Sequence, residues 1–112
     1  MEMSPHITEI TAEIDRLTAL NAKGVEALFE AEEELAHAEN ELDTLEARAF
    51  LEAEGSVADR TAKAKLASAE VRLQRDLAKA GVNRIRTKLR TIESALMALA
   101  TKAKLTGVEA RL

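Results

Sequence analysis

An apolar residue, or a small substitute for one, returns at every seventh position through the first half of this chain: Ile7, Ile14, Asn21, Leu28, Leu35, Leu42 and Ala49. Three residues further on, a second series reads Ile10, Leu17, Gly24, Ala31, Ala38, Leu45 and Glu52. A seven-residue repeat held over about six heptads keeps one seam on one side of a long helix, and that seam must be covered by another helix. Strands alternate with period two and have no use for this spacing. Ser4 suits the N-cap and Pro5 the first helical position, where a missing N–H costs nothing. Gly55 supplies a stop, and Ser56 with Asp59 forms a capping box that opens the next helix. The first helix is therefore predicted over residues 6–53, with a turn at 54–56.

The second half repeats the pattern. Val82, Ile85, Leu89, Ile92, Leu96, Leu99 and Ala103 advance in steps of three and four. Upstream, Leu66, Ala69, Leu73, Leu77 and Ala80 form an apolar series in a shifted phase, which predicts a kink or a change of winding near Gly81. Gly107 is expected to end this helix, which is predicted over 57–105. Two long helices joined by three residues make an antiparallel hairpin, here a coiled coil within one all-α domain. The run Leu20-Asn21-Ala22-Lys23-Gly24 also resembles a helix C-terminus. The heptad phase is kept from Ile14 to Leu28, which favours an unbroken helix.

Composition narrows the alternatives. In 112 residues there are 22 Ala, 4 Gly, 1 Pro, and no Cys, Trp or Tyr. A sandwich or barrel would need β-branched and aromatic residues that this chain lacks. Without Cys there is no disulfide scaffold and no thiolate metal site. No stretch approaches the roughly 18 apolar residues of a membrane span, and the first residues do not have the form of a signal peptide. A soluble cytoplasmic protein is expected.

Charge is divided between the halves. Residues 1–54 carry 15 acidic and 3 basic side chains, and residues 55–112 carry 5 and 13. Folding about Gly55 sets residue i near 111−i. The acidic run from Glu26 to Glu46 then lies along the stretch that holds Lys65, Arg72, Arg75, Lys79 and Arg84. Exposed pairs are each worth under about 1 kcal/mol, so their collective role is to select register.

A lone hairpin buries little, and several large apolar residues lie off the seam. Leu20, Val25, Phe29 and Met97 are candidates for an interface. The simplest partner is a second copy, giving a homodimeric four-helix bundle; the alternative is a different protein. Asn21, at a core position, either fixes register or marks a helix end or solvated spot.

Candidate chemistry is sparse. Glu34-x-x-His37 has the spacing of di-iron bundle sites, but the core position of Leu35 turns Glu34 to the flank and His37 outward, as expected of a solvated acidic face. No nucleophile–base arrangement and no phosphate-cradling glycine loop is present. We expect no enzyme and no cofactor. Lys65, Arg72, Lys79 and Arg86 recur every seven residues, and Arg75 and Arg90 widen the stripe. Such a stripe could follow phosphates. The chain lacks stacking aromatics and carries a net charge of −4, so these cations are first read as counter-charges to the acidic helix.

The segment AFLEAEGSVADRTAKAKLASAE, Ala49 to Glu70, together with the basic helix through Leu105, resembles small Ala-rich helical proteins encoded by phages and prophages of actinobacteria. In those proteins an Ala-rich helix passes through a Gly-Ser/Thr-Val turn, with an Arg soon after, into a long charged helix. The resemblance covers residues 40–105. It implies an accessory role in phage DNA metabolism or interference with a host protein, in the host cytoplasm. The turn Glu54-Gly55-Ser56, in a chain without Trp, separates it from secreted helical hairpins with Trp-x-Gly at the turn. The expected function is a non-enzymatic helical interaction protein. The alternative is a nucleic-acid-binding accessory protein of phage replication or recombination that uses the basic second helix.

Overall fold

The computed structural model describes residues 5–111, with side chains from His6 to Gly107. Ser4, the expected N-cap, lies outside the described residues. The fold is an all-α helical hairpin: α1 spans Pro5–Glu52, α2 Val57–Ala67 and α3 Ala69–Arg111. No strand occurs among the described residues. Threonines within these helices satisfy their hydroxyls locally: Thr18 donates to the Ile14 carbonyl at 2.7 Å and Thr61 to that of Val57 at 2.8 Å. That back-bonding is how a β-branched polar residue is accommodated on a helix.

The turn is built from local chemistry. Gly55 has φ 113°, a left-handed conformation open to glycine and costly for other residues. Ser56 accepts from the Asp59 N–H at 3.2 Å, and its own N–H donates to the Asp59 carboxylate at 3.4 Å, closing the capping box. The last carbonyls of a helix have no partner within it. Here the second arm of the hairpin supplies one partner to α1 and one to the turn. Arg60 Nε donates to the Phe50 carbonyl at 3.1 Å with its guanidinium 4.5 Å from the Phe50 ring centroid, and Lys63 Nζ donates to the Glu54 carbonyl at 2.8 Å.

Helix α1 runs without interruption through Gly24. The reason is close packing: a Cβ at Gly24 would lie 2.6 Å from Leu89 Cδ2, so the glycine lets α3 approach. The register follows the expected rule. Position 24 should face 87 and position 50 should face 61; the structure sets Gly24 against Leu89 and Phe50 against Arg60.

The second half of the hairpin departs from expectation in three ways. It is interrupted at Ser68, where φ −100° and ψ 6° leave the helical region, and it passes straight through Gly81. It also continues beyond Gly107 to Arg111. Ser68 is fully buried, and its hydroxyl donates to the Ala64 carbonyl at 2.8 Å, beside its own N–H at 3.1 Å. A serine that bonds back to the i−4 carbonyl often bends its helix; Thr18 and Thr61 make the same bond without a break, and Ser68 differs from them in being fully buried and in accepting from Arg72 Nη2. Backbone bonding resumes at once, with Arg72 N–H on the Ser68 carbonyl at 2.9 Å.

The third departure is the seam itself. The expected upstream series, Leu66, Ala69, Leu73, Leu77 and Ala80, is exposed throughout. The inward side is Ala64, Ser68, Val71, Ala78 and Val82, with the half-buried Arg75 between Val71 and Ala78, and it continues the 3-4 phase of Ile85 and Leu89 backward without a shift. Small residues face inward here because α1 already brings large ones: Leu42 is buried, and Leu28, Leu35 and Leu45 are half-buried. Large side chains on one helix fill the space left by small ones on the other.

The chain divides into two compact units. One is Leu28–Arg84, with the turn; its buried residues are Leu42, Ala64, Ser68 and Val82. The other joins the residues up to Ala27 with those from Ile85 on, and buries Ile10, Leu17 and Leu89.

Candidate interaction surfaces

Turning small residues inward leaves leucines outside. In the Leu28–Arg84 unit, Leu66, Leu73 and Leu77 are 80%, 58% and 63% exposed. All three lie on the side of the second helical arm opposite its seam, at intervals of seven and four residues that place them in one stripe. Sequence reasoning assigned these leucines to the core. The signal that could have placed them outside was the unbroken phase running back from Val82 through Ala78, Val71, Ser68 and Ala64.

The interface candidates named from sequence fall in both units. Phe29, in the Leu28–Arg84 unit, is 63% exposed. In the other unit Leu20 is 40% and Met97 73% exposed, and Val25 is half-buried. Leu20 lines a groove of about 480 Å³ with Leu17, Gly24, Leu89 and Ile92, rimmed by Arg16, Lys23 and Lys88. Arg16 is held by a two-point pair with Glu13, its Nε at 3.0 Å from Glu13 Oε2 and its Nη2 on Oε1. These hydrogen bonds hold the Glu13 carboxyl below its ordinary pKa and raise that of Arg16.

Asn21 is half-buried at its heptad position. Its Oδ1 is buried and has no hydrogen-bond partner among the described residues. The helix-end reading of this residue is excluded by the continuity of α1.

The basic candidates divide by exposure. Arg72 and Arg75 are half-buried and engaged. Arg72 Nη2 lies 3.4 Å from Glu46 Oε2 and 3.1 Å from Ser68 Oγ, and Nη1 donates to the Lys65 carbonyl. Arg75 Nε lies 2.7 Å from Asp76 Oδ1. Lys65, Lys79, Arg86 and Arg90 are exposed. Arg72–Glu46 is a cross-helix pair of the kind the charge division predicts.

His37 points to solvent with Nε2 3.8 Å from Glu33, one turn before it, and Glu34 is also exposed. No group of three or more His, Asp or Glu is placed to hold a metal ion among the described residues. No described helix is long and apolar enough to cross a membrane. Comparison with protein-family models, curated proteins and solved structures finds no significant match to this chain.

Proposed function

We propose that this chain is a non-enzymatic interaction protein that binds other helices through apolar side chains standing outside its hairpin. One observation carries the reading: Leu66, Leu73 and Leu77 form an exposed stripe along one face of a helical arm whose opposite face is already packed. Contiguous apolar surface of that kind marks a binding site. A helix is the natural occupant, because leucines at helical spacing present the ridge that another helix's groove accepts. The resemblance to phage-encoded helical proteins is compatible with such a role, in the cytoplasm of a host and directed at a host or phage protein.

A second reading has its own support. Lys65, Lys79 and Arg86 are exposed at heptad spacing, which suits a nucleic-acid accessory role. The acidic first half weighs against it, since a duplex approaching this arm meets the carboxylates of α1 as well.

The test compares wild type with a Leu66→Glu/Leu77→Glu variant. Both positions are exposed, so helicity and melting temperature should be preserved. Partner proteins captured from a host extract by the immobilised wild type should be lost from the variant. Equal capture by both proteins, together with tight salt-sensitive nucleic-acid binding, would overturn the protein-binding reading in favour of the second.

A further inference from the structure

The leucine stripe has an internal symmetry that identifies its occupant. Its positions are Leu66, Ala69, Leu73, Leu77 and Ala80, with Ala62 and Arg84 next in line at either end. The gaps from 62 to 84 read 4, 3, 4, 4, 3, 4, a sequence that is the same in both directions about Leu73. Side-chain size is arranged to match. When the stripe is laid antiparallel on itself with Leu73 at the centre, Leu66 falls opposite Ala80 and Leu77 opposite Ala69. Each large residue then meets a small one, and Leu73 meets its own counterpart. A two-fold interface requires this self-complementarity, because one patch must serve as both surfaces. A partner of unrelated sequence places no such demand on the spacing.

We propose that a second copy of this chain docks antiparallel on the outer face of α2 and α3, with Leu73 on the two-fold axis. This rests on the reading of the stripe as a helix-binding surface and names its partner. Charge selects the orientation. A parallel pair would set Arg84 against Arg84, whereas the antiparallel pair sets Arg84 against Ala62, within one turn of Asp59 of the other copy. The interface is modest. From Ala62 to Arg84 the strip is about 33 Å long and about one helix, some 10–12 Å, wide. Two copies then bury roughly 650–800 Å² in total, below the ~1,000 Å² of a stable specific interface, so the dimer is a weak and reversible one.

The chain has no cysteine, which makes a clean test available. Leu73→Cys places a thiol at the axis, whereas Leu51→Cys places one at a residue that is more exposed, 74% against 58%, but off the stripe. With oxidised glutathione, Leu73→Cys should form a disulfide-linked dimer at least about tenfold faster than Leu51→Cys, the advantage of prior association over collision. By light scattering, wild type should rise from one-chain to two-chain mass with concentration. Ala69→Leu should weaken the dimer by opposing two leucines, and adding Leu77→Ala should restore it. Equal crosslinking of the two cysteine variants, or a wild type of one-chain mass at every concentration, overturns the second copy as occupant. If capture of another protein still depends on Leu66 and Leu77 in that case, the helix-binding reading stands without it; if neither is seen, both fall.

Discussion

At Gly24 a methyl group would lie 2.6 Å from Leu89 Cδ2; at Gly81 it would meet nothing within 4 Å. Both glycines are inside long helices, where Gly is less favourable than Ala by about 1 kcal/mol. Gly81→Ala should therefore recover most of that and raise the melting temperature by several degrees, at roughly 4–8 °C per kcal/mol for a chain near this size. Gly24→Ala recovers the same propensity but must displace Leu89, which is buried, so its melting temperature should fall below that of Gly81→Ala. Thermal unfolding followed by circular dichroism checks the order, and a reversal would show that α1 and α3 do not approach closely at Gly24. Asn21 shows the opposite economy at this scale: a buried amide oxygen left without a partner costs about 1–3 kcal/mol, and the helix carries it without breaking.

Among the elements, the arm from Val57 onward turns on Ser68. Its side chain is fully buried, so Ser68→Leu should cost about 1–3 kcal/mol by overpacking. Ser68→Ala removes the bond to the Ala64 carbonyl and the acceptor of Arg72, yet installs a better helix former, and should change stability by under about 1 kcal/mol. Urea unfolding of the two variants should separate them clearly; a leucine tolerated as well as alanine would contradict the tight packing at this position. The same arm shows what the sequence could and could not reveal. The seam of α1 and that from Val82 to Ala103 were legible because their inward residues are large aliphatics at heptad spacing. The turn was legible because capping chemistry is local. The face from Ala64 to Ala78 was not, because there the inward residues are small and the leucines point out, and counting hydrophobicity assigns leucine to the core. The outer stripe was missed for the same reason. Arg60 as a cap of α1 and Lys63 as a partner of the Glu54 carbonyl in the turn were out of reach too, since their roles depend on where the chain has turned back.

For the whole molecule, the division of charge is the property to test. Arg72 lies 3.4 Å from Glu46, and Lys79 and Arg86 are exposed. Replacing all three with Gln should lower the melting temperature modestly, by an amount that shrinks at high salt as screening replaces the lost pairing. Nucleic-acid binding should change little. If the three instead contact phosphates, folding should be nearly unaffected and the salt dependence of binding should flatten by up to about three units of slope, one per contact. A mobility shift at two salt concentrations, run beside the melts, discriminates the two outcomes. The charge difference itself was plain in the sequence. Which cations it engages was not, because side chains on one helix divide between seam, flank and outer face by a few tens of degrees.

The capped turn also sets the order in which the chain acquires its structure. Pairing Phe50 with Arg60 closes a loop of ten residues, whereas pairing Gly24 with Leu89 closes one of sixty-five. Loop closure costs more as the loop lengthens, so contacts beside the turn form before those near the chain ends. Gly55→Ala would strain the left-handed turn residue and bring a Cβ to 3.0 Å from Asp59 Cβ, at a cost of about 1–2 kcal/mol. That cost should appear in the rate of folding and hardly in the rate of unfolding, since a turn formed early is already present in the transition state. Stopped-flow chevrons would show it as a lowered refolding arm. The hairpin would then close like a zip whose slider starts at residue 55, and its last teeth would be the first to part.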